Sequence, residues 1–201
     1  PNTTKKQDTY GGLYDAENGV MLTGEISQDM LGGYNKTVLQ YANKGLAQNM
    51  VSQGGGWYDM WNYVNDATGY RVINTGLIPI TEKFSINHVL TWGSADNITD
   101  YTDKTRMLVA RGQYQFTEYV RLIGEVGGFY QKDSYKNNTD YKQAGEKYTI
   151  ALGLADGPDF MSRPELRIFA SYLNDSENGK PFEDRTANNT WNFGVQVEAW
   201  W

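Results

Sequence analysis

The amino-acid sequence predicts an all-β protein, and more narrowly an antiparallel transmembrane β-barrel. Three observations predict this class: apolar and polar residues alternate over long stretches, the connections between those stretches alternate in length, and 15 tyrosines and 6 tryptophans accompany 22 glycines in 201 residues. Aromatic residues favour strands and glycines favour turns. No stretch approaches the about 18 apolar residues that a spanning helix requires, so only strands with one apolar face could cross a membrane.

The two-residue period predicts about nine strands, and helical spacing competes with it nowhere. The predicted strands are residues 19–28, 34–42, 69–80, 84–95, 104–116, 120–132, 144–155, 164–174 and 190–201. Three of the connections are short (29–33, 81–83 and 117–119), and three are long and polar (43–68, 133–143 and 175–189). Short connections on one side and long ones on the other are typical of porins.

The final strand shows most clearly how side chains are divided between two faces. One face carries Trp191, Phe193, Val195, Val197, Ala199 and Trp201, and the other carries Asn192, Gly194, Gln196, Glu198 and Trp200. The first face suits lipid and the second suits water. A soluble sandwich of two sheets would alternate in the same way, but strands near ten residues long, aromatic strand ends and alternating loops favour the membrane barrel.

Composition excludes several classes of function. The net charge is -6, which argues against nucleic-acid binding, because that function requires a basic surface. The absence of cysteine excludes disulfides and thiolate chemistry. No hydroxyl, histidine and carboxylate set is placed by a catalytic motif, so we expect neither an enzyme nor a cofactor. Residues 1–8 are polar and resemble neither a signal peptide nor a lipidation site, so we expect a mature chain, an internal part of a longer one, or a cytosolic protein.

Two groups of metal-ligating residue types receive ordinary structural interpretations. His88 is the only histidine and shares a face with apolar residues, so we predict a neutral imidazole packed at a subunit contact. Asp96, Asp100 and Asp103 fall in one connection, where we predict a solvated acidic turn in preference to a calcium site.

Aromatic side chains on the watery face of a strand are candidates for stacking against sugar rings. Trp200, Tyr34 and Phe169 fall on such faces. A sugar presents patches of C–H bonds edged by hydroxyls, so a site for it combines aromatic planes with polar side chains. The polar candidates are Arg111, Gln113, Glu125, Arg121, Glu25 and Lys36. The alternative for each is a paired charge that simply keeps a pore wet.

The connection at 43–68 is long enough to be a functional loop. Three glycines, residues 54–56, precede Trp57, Tyr58, Trp61 and Tyr63. These aromatic residues could form a vestibule that collects sugar at the mouth of a channel, or could pack against the barrel wall or a neighbouring subunit.

Four segments resemble the C-terminal half of the maltoporin family of sugar porins, and together they cover nearly the whole chain. They are VMLTGEISQ from Val20, GGYNKTVLQYA from Gly32, SRPELRIFASY from Ser162 and WNFGVQVEAWW from Trp191. The resemblance implies an eighteen-stranded homotrimeric barrel in the outer membrane of a Gram-negative bacterium. Residues 1–201 would be the C-terminal part of one barrel domain, through which saccharides diffuse passively along a slide of aromatic residues.

The resemblance also assigns residues to the slide: Tyr34 in GGYNK, Met161 just before SRP, and the penultimate Trp200. A tryptophan is usual at the position of Met161. This departure, with the short final loop, predicts a chain nearer to the sucrose or aryl-β-glucoside relatives than to maltoporin proper.

Two alternatives to the channel remain open: a soluble lectin-like β-sandwich, and a plugged barrel that serves as an adhesin or anchor. Nine strands cannot close a barrel of the family's size, and an open edge in lipid would leave backbone groups unpaired. We therefore expect a fragment or a truncated reading frame, which would not form a working pore alone.

Overall fold

The computed structural model describes residues 17–52, 64–98, 101–177 and 187–199. Nine strands form one antiparallel sheet in which each strand pairs with the next in the sequence. They are β1 (Met21–Met30), β2 (Gly33–Asn43), β3 (Thr68–Thr81), β4 (Phe84–Ile98), β5 (Tyr101–Gln115), β6 (Val120–Tyr135), β7 (Asp140–Ala155), β8 (Glu165–Asp175) and β9 (Asn189–Glu198). The predicted all-β class and the nine strands are confirmed. Within these ranges, no helix has the length and apolar character needed to cross a bilayer.

The tight connections between strands have recognisable local causes. Leu31 and Gly32 join β1 to β2 with φ angles of 52° and 78°, as a two-residue hairpin with both central residues at positive φ requires. Thr81 Oγ1 accepts hydrogen bonds from the backbone nitrogens of Lys83 (3.3 Å) and Phe84 (3.0 Å). Thr117 Oγ1 does the same after β5, accepting from Tyr119 and Val120. These hydroxyl-stabilised turns hold the short connections where the sequence predicts them.

One predicted loop and the predicted alternation of loop lengths differ from the structure. The prediction of a long loop at 133–143 is wrong, because β6 continues to Tyr135 and β7 begins at Asp140, which leaves a four-residue turn. The residues in question are polar, but a strand can be polar on both faces where both faces meet water. An ion pair of 2.7 Å between Lys132 Nζ and Asp140 Oδ2 connects the two strands of this hairpin. The β7–β8 connection, residues 156–164, is long although it lies on the side of the short turns.

A short helix, α1 (Gly45–Ser52), lies in the predicted loop at 43–68, where no helix was expected. Met50 and Val51 of α1 are buried against the sheet. Arg71 Nη1 donates to the carbonyl of Met50 (2.5 Å) and Thr105 Oγ1 to that of Val51 (3.2 Å), so two carbonyls at the end of the helix are satisfied by strand residues. Gly69 leaves space for the helix, because a Cβ there would lie 2.9 Å from the carbonyl oxygen of Ala47.

The two faces of the sheet are inverted relative to those of a soluble protein. Register places all but one of the described buried polar side chains on one face, which we call the polar face: Arg71, Asp103, Gln113, Arg121, Glu165, Arg167 and Ser171. The exception is Ser94, which the same register places on the opposite face. α1 packs on this face. The opposite, outward face presents large apolar side chains, and Phe193 on β9 is 69% exposed. A sandwich would bury that apolar face, so the arrangement is that of a barrel wall with its apolar side turned outward.

Aromatic side chains pair with one another on the outward face. Tyr148, Tyr172 and Trp191 form a row across β7, β8 and β9, with ring centroids 6.5 and 5.3 Å apart. Tyr41 and Tyr70 pair in the same way on β2 and β3, at 5.4 Å. Amphipathic rings of this kind are enriched on the outward face of transmembrane barrels, where they border the apolar band.

The acidic turn predicted at residues 96–103 is wrong for Asp103. This residue lies in β5, is 1% exposed, and stands in register with Asp133 of β6 on the polar face. Asp96 belongs to β4, and Asp100 lies outside the described residues. The described part of the chain has no group of three or more histidine and carboxylate side chains placed to hold a metal ion.

Candidate functional site

An ion pair on the polar face forms the centre of the candidate site. Arg111 of β5 stands directly opposite Glu125 of β6. Arg111 donates from Nε (2.9 Å) and from Nη2 (2.7 Å) to Glu125 Oε2. Lys147 Nζ of β7 lies 3.9 Å from the other oxygen, Glu125 Oε1. This cluster of two cations and one carboxylate is half-buried and offers both donors and acceptors.

Phe169 lies next to this cluster on β8. Its ring extends over Gly194 of β9, where a Cβ would come within 2.7 Å of Phe169 Cζ. Phe169 lines a small concavity of about 80 Å³ together with Arg111, Glu125 and Lys147. Thr149 and Ser171, whose hydroxyl oxygens are 2.7 Å apart, also line it. The structure thus brings together three residues that the sequence analysis selected separately.

Tyr34 and Lys36 share the polar face but lie apart from Phe169. Tyr34 of β2 is in the same register row as Arg111, with β3 and β4 between them, a lateral separation of about 14 Å at the usual strand spacing. Lys36 Nζ pairs with Glu25 Oε1 of β1 at 2.9 Å. These two residues belong to another part of the wall.

Arg121 does not face open space, although it was predicted to contact sugar. Its side chain is 1% exposed beneath the β7–β8 connection. Arg121 Nη2 donates to the carbonyl of Gly157 (2.6 Å) and Nη1 to that of Asp159 (3.1 Å). Nη1 also lies 3.5 Å from Glu165 Oε2. The strand period assigns Arg121 to the correct face, but the connection folds over it, so its position gives a sugar-binding role no support.

A network of charges surrounds Arg121 and was not anticipated from the sequence. Glu165 also pairs with Arg163 (3.2 Å, to Nη1) and with Arg167 Nε. Glu198 Oε2 of β9 lies 2.5 Å from Arg163 Nη2 and 2.9 Å from Arg167 Nη2. Three arginines and two glutamates therefore fix the β7–β8 connection against the polar face. The two-residue period of the sequence predicts the face of the strand residues in this network. It does not predict which of them pair, because the pairs depend on the register across four strands.

The other residues that the sequence analysis selected lie in the β7–β8 connection, outside the described residues or on the outward face. Met161 lies in the β7–β8 connection and is 53% exposed. Trp200 and the aromatic residues 57–63 lie outside the described residues. His88 is on the outward face, where its Nε2 is 2.8 Å from Asn74 Oδ1.

Among the described residues, three exposed aromatic residues with polar-face positions in their strands were not selected from the sequence: Phe129, Tyr135 and Tyr141. Phe129 of β6 has the parity of Arg121 and Glu125, and is 50% exposed. Counting in steps of two from Glu125 would have found it.

A family model described as LamB porin matches residues 1–201. The chain belongs to the LamB porin family. Porins are channels of the outer membrane of Gram-negative bacteria, so the nine strands are part of an outer-membrane barrel wall and not of an enzyme. Neither the family nor the exposed apolar face favours the soluble lectin alternative.

Three relatives show how similar this porin chain is to curated proteins. It is 95% identical to Maltoporin 1 of Klebsiella pneumoniae, 80% identical to Maltoporin 2 of Yersinia pestis and 51% identical to Maltoporin 1 of Aeromonas salmonicida. Each match covers all of this chain and 48% of the relative, so the chain spans about half the length of these proteins. All three are named maltoporins, which does not support our expectation of a position nearer to sucrose or aryl-β-glucoside porins.

Proposed function

We propose that the protein containing this chain is a sugar-selective channel through which oligosaccharides diffuse passively, and that residues 1–201 are part of its single barrel domain. One observation carries the proposal: an aromatic ring, Phe169, lies on the polar face of a barrel wall beside the Arg111–Glu125 pair. An aromatic side chain gains little from a watery surface unless a ligand covers it.

The geometry supports a mechanism of exchange without chemical change. The ring of Phe169 would stack against the C–H face of a sugar, while Arg111, Glu125 and Lys147 would hydrogen-bond to its hydroxyls. As the sugar advances, each hydroxyl replaces one partner by another, so no step leaves a polar group without a bond. Flux would then follow the concentration gradient, because conduction requires binding that is favourable yet weak enough for release. Tyr34, Lys36, Met161 and Trp200 remain proposed contacts further along the path.

Glucose oligosaccharides of the maltose type are the substrates that we propose. The support is the printed name of the relatives, which at 95% and 80% identity are called maltoporins. Met161 occupies a position for which the family resemblance implies a tryptophan. We infer that the chain binds the same class of sugar with a less extensive ring surface at that point.

Phe169→Ala, introduced into the full-length barrel, is expected to weaken binding of maltotriose about tenfold. The reason is the loss of about 1.4 kcal/mol of ring contact. The measurement is the sugar-dependent block of ion current through single channels in planar bilayers, with sucrose as a comparison sugar. Phe193→Ala removes a ring of the same size from the outward face and should leave the block unchanged. Equal block by maltotriose in the Phe169 variant and the parent would remove Phe169 from the path.

We also propose that the full-length protein is a homotrimer in contact with lipid, and that a polar cluster on the outward face lies at a subunit contact. Asn74 Nδ2 donates to Thr37 Oγ1 (2.9 Å) and to Asn35 Oδ1 (3.0 Å), and Asn74 Oδ1 is 2.8 Å from His88 Nε2. In register with Asn74 is the exposed Leu90. Polar groups amid an apolar belt are costly against hydrocarbon and suit a protein contact better.

Asn74→Leu is expected to lower the temperature at which the trimer dissociates in detergent, because the cluster loses its central amide. The trimer fraction on unheated gels reports this effect, and the circular dichroism of the strands reports folding separately. Ile150→Ala removes an exposed apolar side chain of β7, away from the cluster, and should leave the dissociation temperature unchanged as a control. A trimer of unchanged heat stability would place the cluster in lipid and contradict the proposed contact.

A further inference from the structure

Phe129 occupies a position that resembles that of Phe169 in one specific respect. Its ring extends over a glycine of the next strand, since a Cβ on Gly145 would lie 3.0 Å from Phe129 Cε1. Gly194 accommodates Phe169 in the same manner. Both rings are on the polar face, and neither belongs to the buried apolar cluster beneath α1. A ring placed over a glycine lies low on the sheet, which leaves its outer surface available for a ligand.

The surroundings of Phe129 combine apolar and ionisable side chains. Met107 of β5, in register with Phe129, is also exposed, and Val109 lies one step further along the same face. These residues and Phe129 line a concavity of about 470 Å³, whose wall also includes Glu125 and Lys147. An apolar platform bordered by a carboxylate and an ammonium group has the composition of a sugar subsite.

We propose that Phe129 is a second stacking platform, so that the Arg111–Glu125–Lys147 cluster lies between two aromatic rings. This inference rests on the proposed channel function. Glu125 of β6 and Ser171 of β8 are at the same level, because both pair with Thr149 of β7. Phe129 lies four residues after Glu125 in β6. Phe169 lies two residues before Ser171 in β8. Since β6 and β8 run in the same direction, the platforms are six residues apart along the strands, or about 20 Å.

The spacing specifies the class of ligand. One sugar ring cannot reach both platforms, whereas an oligosaccharide of several rings can stack at both ends while its central hydroxyls meet the charged cluster. Binding at two linked places gains effective concentration at the second. Phe129 therefore selects for chain length, a property that Phe169 and its charged neighbours would not provide alone.

The test measures current block by glucose oligomers of one, two, three and six units in the full-length channel. Phe129→Ala should weaken binding of the hexamer about tenfold, a loss of about 1.4 kcal/mol, and leave binding of the monomer and of small ions unchanged. Phe129→Trp keeps an aromatic ring at this position, so its binding affinity should rise with the length of the glucose oligomer as in the unaltered channel. Phe129→Leu retains apolar bulk without a ring and should behave like the alanine variant, which covers the case in which alanine prevents folding. Tyr130→Ala, the adjacent residue on the outward face, is the matched control.

The outcomes separate this inference from the proposed function. An equal loss for all oligomers in the Phe129 variants would overturn the length-selecting role, as would no loss for any. If Phe169→Ala weakens block while Phe129→Ala does not, the channel function stands and only the second platform fails. If the unaltered channel shows no block by any glucose oligomer, both proposals fail together.

Discussion

Glu165→Gln is expected to destabilise the barrel by about 3–5 kcal/mol, the range found when one partner of a buried ion pair is removed. The carboxylate of Glu165 is 1% exposed and lies among Arg121, Arg163 and Arg167. Glutamine retains the shape but not the charge. Glu198 still pairs with Arg163 and Arg167, but no carboxylate other than Glu165 is within ion-pair distance of Arg121 among the described residues.

Guanidinium unfolding of the full-length protein in detergent measures this loss of unfolding free energy. Arg121→Met should also destabilise, whereas the double variant Arg121→Met with Glu165→Gln should lose less than the sum of the two, since neither partner is then left alone. Glu118→Gln neutralises an exposed carboxylate in a turn and should change the unfolding free energy by less than about 0.5 kcal/mol. Additive losses in the double variant would show that the two side chains are not energetically coupled.

Gly33→Ala is expected to prevent normal pairing at the beginning of β2. A Cβ at this position would lie 1.8 Å from the carbonyl oxygen of Leu77 and 2.7 Å from its carbon, and these are backbone atoms that cannot rotate away. Tyr34 would have to separate from Leu77 for the methyl group to fit. The loss of stability should therefore reach or exceed the upper end of the about 1–3 kcal/mol that overpacking usually costs.

Gly24→Ala supplies the matched control for Gly33→Ala, because a Cβ at Gly24 of β1 meets nothing within 4 Å. We expect full assembly of this variant, and for Gly33→Ala a reduced yield of folded barrel and a lower unfolding midpoint. Folded yield is measured by the mobility of unheated samples on denaturing gels. Equal yields from the two variants would contradict the close approach between β2 and β3.

The sequence predicts features that are set within one strand. It does not predict contacts between residues that are far apart in the sequence. The sequence could place Phe169, Arg111 and Glu125 on one face, because the two-residue period of a strand is enough to decide the face of each side chain. Arg121 was also assigned to the correct face, but its burial could not be predicted, because it depends on Gly157 and Asp159, 36 and 38 residues away. Helix α1 was missed because eight residues give little periodic signal, and its packing on Gly69 comes from a strand that follows it.

The sequence by itself determined the class of fold, the number of strands, the face on which each side chain lies and, through resemblance, the family. These features are local, since a period of two residues is set by the backbone of each strand and by whether its sides meet hydrocarbon or water. Only the tertiary structure decided which polar residues meet, that Glu165 joins three arginines and that Phe129 faces open space. Those contacts depend on the register between strands, and a shift of one residue would exchange the two faces.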